Sequence, residues 1–225
     1  MKKLWLLVLG MGFCAATGFA DEVTERLKAA ATVLDEIMAA PDKGIPGDVL
    51  EKADCVIVIP GMKKGGFIVG GRYGRGAVSC RNKAQIAWEA PVMLTLEGGS
   101  FGLQIGASST DAVLLVMERS GLDSLMKDKV TLGGDASVAA GPVGRTATGQ
   151  TDAMMKAKIL SYSRSQGVFA GLELEGSTLR PDKDDNKALY GKPIEAKDIL
   201  TGNPAIPSAA QPLIKALTKY SPKGK

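Results

Sequence analysis

Lysine and arginine residues stand directly beside glycines at several points of the chain, and this pattern has the chemistry to bind phosphate. Exposed backbone N–H groups and a neighbouring cationic side chain can together hold a phosphate group. The alternative is a set of hairpin turns with solvated charges, which the spacing alone favours. The pattern occurs at Lys63-Lys64-Gly65-Gly66, Gly71-Arg72, Gly74-Arg75-Gly76 and Gly144-Arg145.

The 225-residue chain contains no histidine, which restricts the catalysis it can perform. Ser–His–Asp triads, Cys–His dyads and His-ligated metal sites are excluded. One candidate centre remains, Tyr162-Ser163-Arg164 with a nearby carboxylate, where the tyrosine hydroxyl and Arg164 would polarise a substrate. Without a histidine base near neutral pH, a half-buried strand residue Tyr162 and an ion-paired Arg164 are the simpler interpretation. The sequence therefore predicts a protein that is not an enzyme.

Three stretches resemble cofactor or metal motifs but lack their defining residues. Residues 61–66 follow a strand, yet lack the Gly-Lys-Ser/Thr ending of a phosphate-binding loop. Residues 71–76 fail the dinucleotide pattern because a strand, rather than a helix, is predicted to follow. Residues 182–186 lack the central glycine and the terminal glutamate of a calcium loop. No cofactor and no metal are expected.

The first twenty residues are typical of a secretory signal peptide. Lys2 and Lys3 precede an apolar stretch at 4–13, and Gly18-Phe19-Ala20 supplies small residues before a cleavage point after Ala20. Lipidation at Cys14 is disfavoured by the bulky Phe13. Removing residues 1–20 takes away two lysines and no acidic residue, so the formal net charge falls from +4 to +2. An exported, weakly basic protein is expected, in the periplasm or outside the cell, without a nucleic-acid partner.

Two cysteines remain in the exported chain, Cys55 and Cys80. In an oxidising compartment they can pair as a disulfide. They can equally be two small buried side chains on separate strands. The sequence does not provide the Cα separation that decides between these alternatives.

An amphipathic helix is predicted at residues 21–40, followed by a short helix at 48–52. Its apolar side chains recur at helical spacing, at Val23, Leu27, Ala30, Leu34, Ile37 and Met38. The opposite face is polar and carries both signs of charge.

After the helices the sequence pattern changes to short, closely spaced strands. They are predicted at 55–59, 67–72, 76–81, 93–97, 102–107, 112–117, 158–163 and 168–179. Such spacing favours antiparallel pairing, because parallel neighbours need long crossovers. Glycine makes up 28 of the 225 residues and permits sheet curvature.

Short helices are expected at 121–129 and 182–190. The fold class is α+β, with a mostly antiparallel, curved, glycine-rich sheet, barrel or sandwich-like, in one domain at 21–192 and a tail at 193–225 holding a weak helix at 211–220.

Five segments resemble, in order, the SYLF domain, also called the Las17-binding or actin-regulator domain, in its exported bacterial form. They are ADCVIVIP at 53–60, KKGGFIVGG at 63–71, GGSFGLQIG at 98–106, AGPVGR at 140–145 and YSRSQGVFAG at 162–171. The resemblance covers roughly residues 25–192. It implies a lipid-binding module rather than an enzyme, since eukaryotic members bind phosphoinositide membranes, partly through an N-terminal amphipathic helix, and some bind actin.

Carried over to this chain, the resemblance implies a phospholipid or membrane surface as partner. The membrane-contacting helix would be 21–40, through Val23, Leu27, Leu34, Ile37 and Met38, although its mixed polar face differs from the basic face that anionic lipid prefers. Alternatively, an apolar cavity in the sheet would hold acyl chains. Head groups would be steered by cations at Lys63, Lys64, Arg72, Arg145 and Arg164. The competing hypothesis is an envelope structural or protein-interaction module, with an unknown protein partner, in which the helix only covers the core.

Overall fold

The structure is a computed structural model, and it describes residues 15–40, 44–67, 69–82, 84, 86–101, 106–143, 154, 156–165 and 168–222. Five α-helices lie in these residues: α1 (Ala15–Met38), α2 (Gly47–Glu51), α3 (Lys183–Tyr190), α4 (Ala196–Gly202) and α5 (Gln211–Tyr220). Among the helices in this part of the chain, none combines the length and the apolar character that crossing a bilayer requires.

Nine strands in the described residues form one sheet. They are β1 (Cys55–Phe67), β2 (Val69–Cys80), β3 (Val92–Phe101), β4 (Gly106–Val116), β5 (Val130–Thr131), β6 (Val138–Ala140), β7 (Ile159–Ser165), β8 (Val168–Gly171) and β9 (Thr178–Pro181). The order is β5-β9-β3-β2-β1-β4-β7-β6, with β8 paired to β7. Every pair is antiparallel except β6 with β7. The predicted α+β class and mostly antiparallel sheet are confirmed.

The two ends of the strand order are neighbours in sequence, and this requires the sheet to curl. β5 ends at Thr131 and β6 begins at Val138, yet they lie at opposite ends of an eight-strand path. Eight flat strands at about 4.8 Å spacing would separate these edges by about 34 Å. Seven residue steps span at most about 25 Å. The sheet therefore bends round toward closure, in agreement with the curvature predicted from the glycine content.

Both faces of the curled sheet are buried, which explains the continuous apolar run at the start of β1. Ile57 and Ile59 point to the interior, where they pack in a cluster with Leu94 and Leu114. Val56 and its outward-facing neighbours pack in a second cluster with α1, α2 and α5. The interior is filled by side chains, and Ile57, Ile59, Leu94 and Leu114 are each 0% exposed. The curled sheet is thus a packed core.

Two predicted strand breaks are wrong, because β1 and β2 are each continuous. Pro60-Gly61 is an irregularity inside β1, where the register shifts between Ile59 and Met62. Gly61 takes a φ of 57°, and its N–H donates to an Asp111 carboxylate oxygen at 2.9 Å. Residues 73–75, predicted to join two strands, lie within β2. The motif at 63–66 is therefore strand rather than turn.

Two further element predictions need correction. The predicted strand 168–179 is two strands, and β8 pairs with β7 whereas β9 pairs with β3 and β5. The predicted helix 121–129 is a 3-10 helix at Arg119–Leu122 followed by turns. Both errors arise because apolar spacing over so few residues does not distinguish a continuous strand or helix from turns that bury the same side chains.

The predicted C-terminal tail packs on the same core as the rest of the chain. Leu213 and Leu217 of α5 are buried in the outer cluster. Tyr220 donates a hydrogen bond to Asp35 of α1 at 2.7 Å. Residues 193–222 therefore complete the domain, and residue 192 is not a structural boundary.

Cys55 and Cys80 stand opposite each other in the β1–β2 register and are joined by a disulfide. Both are buried in the interior cluster. The bond closes a loop with a sequence separation of 25. It cross-links the two strands at the end of the sheet away from their connecting hairpin.

Candidate functional site

One end of the sheet brings together two of the four places where glycine stands beside a cation, 63–66 and 71–72. We call it the glycine end: residues 63–67, 69–73, 97–101 and 106–109. Its strands are β1, β2, β3 and β4, which pair in register into rows. The rows are Ser109–Lys63–Tyr73–Glu97, then Ser108–Lys64–Arg72–Gly98, Ala107–Gly65–Gly71–Gly99, Gly106–Gly66–Gly70–Ser100 and finally Phe67–Val69–Phe101. Successive rows face opposite sides of the sheet.

Lys63, Lys64 and Arg72 are thereby brought together by strand pairing. Lys63 is exposed and Lys64 is half-buried. Neither ammonium group makes an ion pair or a hydrogen bond with the residues that the structure describes. Lys63 and Lys64 lie in adjacent rows, so their side chains leave opposite sides of the sheet. Two unpaired positive charges therefore flank this end.

Arg72 is held more tightly than the two lysines. Its Nη1 donates to the Glu173 backbone carbonyl at 2.6 Å, and its Nε is buried without a hydrogen-bond partner. Burial lowers the pKa of Arg72, and the charge of Glu173 partly opposes that change. The ordinary pKa of arginine lies so far above neutral pH that the side chain stays charged there. Arg72 supplies charge at this end rather than a free binding group.

The described part of the glycine end has one acidic residue. Glu97 lies in the row of Lys63 and pairs with Arg180 at 3.4 Å. Beyond the row of Lys64 and Arg72, every described position of this end is Gly, Ala, Ser, Val or Phe. The positive residues therefore border a region without charge.

The glycines of the sheet differ in the space beside them, and Gly71 and Gly99 of this end have the most. A Cβ at Gly76 would lie 2.1 Å from the Val58 carbonyl oxygen, and one at Gly98 would lie 2.7 Å from the Ser177 hydroxyl oxygen. A Cβ at Gly71 would approach nothing closer than 3.9 Å, and one at Gly99 would meet nothing within 4 Å. Packing within the chain explains the first two glycines but not Gly71 or Gly99. Glycine in a strand without such a reason is typical of a place where another molecule approaches the backbone.

The predicted membrane-contacting side chains of α1 lie in the core. Val23, Leu27, Leu34 and Ile37 are at most 1% exposed, and Met38 is partly buried against the same cluster. Their helical spacing puts them on one side of α1, and this side packs against the outer face of the sheet. In this arrangement the apolar stripe of α1 covers the sheet and is closed to a membrane.

Charged contacts fasten α1 at both ends. Near its start, Arg26 pairs with Glu22 at 2.6 Å and with the buried Asp185 of α3. Arg75 of β2 pairs with the same two carboxylates, at 2.9 Å and 2.5 Å. Burial raises the pKa of Asp185, and the charge of Arg26 offsets this effect in part. Asp185 contacts two guanidinium groups at once, so it ties α1, β2 and α3 together.

Arg164 has a similar structural role near the other end of α1. It pairs with Glu36 of α1 and, at 2.9 Å, with Asp111 of β4. It therefore lies in an ion-pair cluster, as its alternative interpretation proposed, and is not free to meet a head group. The remaining candidate cation, Arg145, lies outside the described residues.

The Tyr162-Ser163-Arg164 candidate does not form an open catalytic centre. The Tyr162 hydroxyl is buried without a hydrogen-bond partner, and burial raises its pKa strongly. Ser163 donates to the Ala170 carbonyl at 3.3 Å, and Arg164 is engaged by two carboxylates. These contacts are those of a packed strand.

A buried arginine escaped prediction altogether. Arg81 is 0% exposed, lies over the Trp88 ring at 4.2 Å, and donates to the Ser221 carbonyl at 3.0 Å. Burial lowers the pKa of Arg81. Ser221 is 140 residues away in sequence, so no local sequence pattern predicts this contact. Its position next to Cys80 places it at the base of the sheet, far from the glycine end.

The family profile described as "Ysc84: Las17-binding protein actin regulator" matches residues 97–220. This range covers more than half of the chain. The chain belongs to the Ysc84 family. The predicted resemblance to the Las17-binding, or SYLF, domain is thereby confirmed.

Several curated proteins are similar to this Ysc84-family chain. The SH3 domain-containing protein PJ696.02 of Schizosaccharomyces pombe is 38% identical over 176 residues, covering 77% of this chain and 40% of that protein. The LAS seventeen-binding protein 3 of Saccharomyces cerevisiae is 36% identical over 179 residues, covering 78% and 39%. The human SH3 domain-containing YSC84-like protein 1 is 35% identical over 184 residues, covering 81% and 53%. This chain therefore spans about half of these relatives' length or less. The name of the second relative describes binding, and none of the three names a reaction.

Proposed function

We propose that this Ysc84-family chain is an exported, non-enzymatic lipid-binding protein that attaches to anionic membrane surfaces through its glycine end. The single observation that supports this most strongly is the pair Lys63 and Lys64, unpaired within the described residues, at the border of a region without charge. Export rests on the signal-like residues 1–20 and places the protein in the periplasm or outside the cell.

The size of the electrostatic attraction is sufficient for a measurable effect. Each Lys or Arg close to an anionic lipid surface contributes about 1 kcal/mol. Lys63, Lys64 and Arg72 together then contribute about 3 kcal/mol, or roughly a 100-fold change in affinity. The attraction weakens with salt, because exposed charges are screened over about 10 Å at 0.1 M ionic strength.

Vesicle co-sedimentation tests the proposal. The protein without residues 1–20 is mixed with vesicles of phosphatidylcholine alone, or of phosphatidylcholine with phosphatidylglycerol. We expect binding to the anionic vesicles, and a loss of about 100-fold or more in the Lys63→Glu, Lys64→Glu double variant, because each charge is reversed. The matched control is Lys192→Glu with Lys197→Glu, an equal charge change at two exposed positions outside the glycine end.

A second candidate function is a protein-interaction module without a lipid ligand. It is favoured by the buried apolar stripe of α1 and by the protein partner named in the family description. It predicts that neither vesicle type sediments the protein. It also predicts that the two double variants behave alike in that assay.

A further inference from the structure

We propose that the glycine end enters the head-group layer of the bilayer end-on, with the strands β1 to β4 steeply inclined to the membrane and α1 still packed on the sheet. This inference rests on the proposed membrane binding and adds which surface enters the lipid and how deeply. It assigns the uncharged rows to the lipid and the cations to the phosphate plane.

The spacing of the rows fits the depth of an interfacial site. Phe67 lies three residue steps beyond Lys64 along β1, and a strand rises about 3.3 Å per residue, so the uncharged part extends about 10 Å beyond Lys64. Segments that lie in the interface are buried about 5–10 Å into the boundary between head groups and acyl chains. Cations at the level of Lys64 would then meet the phosphates as the last row reaches the acyl chains.

The residue types at this end are compatible with the lipid interface, where burying a charge is unfavourable. The last paired row consists of Phe67, Val69 and Phe101, all apolar residue types, and the two rows before it are glycine, alanine and serine. The backbone N–H and C=O groups of β1 and β2 at this end face neighbouring strands, while β3 beyond Glu97 and β4 before Asp111 pair with a strand on one side. A paired ladder can leave water more readily than an open loop, because its polar backbone groups are already satisfied.

The open positions at Gly71 and Gly99 also find an explanation. Both are exposed, and neither needs to be glycine for packing within the chain. Glycine weakens a strand relative to alanine, so keeping it there has a cost in stability. Without side chains, the sheet surface presents its backbone closely to whatever it enters. If this end faced only water, we would expect residues with side chains at these two positions instead of glycine.

Contact through α1 would be far more disruptive than contact through the glycine end. To face a membrane, the α1 stripe must leave the outer cluster, and the contacts of Arg26 with Asp185 and of Arg164 with Glu36 must break. That movement also uncovers the outer face of the sheet. The glycine end needs no rearrangement of the domain.

Site-specific fluorescence on the protein without residues 1–20 tests the depth. Its two native cysteines are held in the buried disulfide, so an added cysteine can be labelled with an environment-sensitive dye. The reporter is Gly99→Cys. One control is Gly202→Cys, which is also exposed and has nothing within 4 Å of a Cβ, and the other is Ala29→Cys, half-buried beside the α1 stripe.

With vesicles that contain phosphatidylglycerol, we expect a blue shift at position 99 and quenching there by spin-labelled acyl chains. Positions 202 and 29 should keep their aqueous emission. If the protein sediments with vesicles and loses binding in the lysine variant, but position 99 stays aqueous or position 29 shifts instead, the end-on arrangement is wrong while membrane binding stands. If the unlabelled protein does not sediment at all, both proposals fall.

A second set of variants tests the same point without a dye. Gly71→Asp and Gly99→Asp place a charge where the lipid would be, and each should weaken vesicle binding about tenfold or more. Gly202→Asp carries the same charge change outside this end and should bind as the parent does. Circular dichroism and thermal unfolding check that all three are folded. Unchanged binding in folded Gly99→Asp and Gly71→Asp would contradict the proposal.

Discussion

The two ends of β1 and β2 differ sharply, although they belong to the same strands. At the base, Cys55 and Cys80 are cross-linked, and Arg81 is enclosed by Trp88 and Ser221. At the glycine end, β2 carries Gly71 with open space beside it, and β1 carries two lysines that make no ion pair within the described part of the chain. The base is therefore joined by long-range contacts, whereas the glycine end has few contacts from outside its own ladder.

This contrast shows that one strand pair can separate stability from surface chemistry. Residue types at the base are explained by their neighbours within the chain, since Cys55, Cys80 and Arg81 are all buried. At the glycine end, packing within the chain does not explain Gly71 and Gly99, so their type points to an external partner. Substitutions at the two ends should consequently differ in size, and in one case in sign.

The largest effect is expected where the deeper sheet has no room. In Gly76→Val, the Cβ would lie 2.1 Å from the Val58 carbonyl oxygen and 2.9 Å from Ile59 Cα, so two adjacent strands must separate. We expect a loss of about 4 kcal/mol or more in the free energy of unfolding, measured by urea denaturation. Gly202→Val is the exposed control. A loss below about 1 kcal/mol at position 76 would show that the base is less tightly packed than its contacts indicate.

Opening the disulfide should have the next largest effect. The chain-entropy relation gives about 3.5 kcal/mol for a loop with a sequence separation of 25. The Cys55→Ala, Cys80→Ala double variant should lose about that much stability in urea. Vesicle binding by the folded fraction should be unchanged, because the bond lies at the opposite end of β1 from the glycine end. Equal losses of binding and stability would mean that the two ends are coupled.

Replacing a strand glycine that has open space beside it should have a smaller effect on stability, and of opposite sign. Gly71→Ala adds a methyl group whose nearest neighbour, the Gly98 carbonyl oxygen, is 3.9 Å away. Since alanine loses less conformational freedom than glycine on folding, a gain of about 0.5–1 kcal/mol is expected. Gly98→Ala, which would meet Ser177 at 2.7 Å, is the matched control and should be destabilising. Destabilisation at position 71 would show that this glycine is needed within the chain.

Local patterns predicted much of the fold. The spacing from Val23 to Ile37 indicated α1, and alternation indicated most of the strands. The continuation of β1 past Pro60-Gly61 escaped because it depends on Asp111, fifty residues away in sequence. Periodicity describes a residue's own element, whereas such contacts depend on how the sheet curls.

The candidate site was predictable only in part. Lys63, Lys64 and Arg72 were singled out from their glycine neighbours, but only the strand register shows that they lie together. Arg164, which has no glycine neighbour, was grouped with them as a head-group candidate, although the structure places it between Glu36 and Asp111. The two kinds of glycine look alike in sequence. Their difference depends on what stands opposite the missing Cβ, which requires coordinates.

The smallest effect is a pH dependence in the contact between α1 and α5. Hydrogen bonds from Tyr220 and, secondarily, Lys219 lower the pKa of Asp35 below its ordinary value of 3.8. A folded-state pKa below the unfolded one stabilises the fold above about pH 3.8, and this contribution is lost as the pH falls through the folded value. Because the side chains of Asp35 and Lys219 are both largely exposed, the contribution to the free energy of unfolding is small.

Asp35→Asn tests this contribution through urea denaturation at several pH values. The variant should be slightly less stable than the parent at pH 6, and the difference should shrink below pH 3.8, where the parent's carboxylate becomes protonated. Thr32→Asn, on the exposed face of the same helix, controls for the substitution itself. A difference that stays constant across this range would mean that the Asp35 charge contributes nothing. The α5 contact would then depend on its buried apolar side chains, among them Leu213 and Leu217.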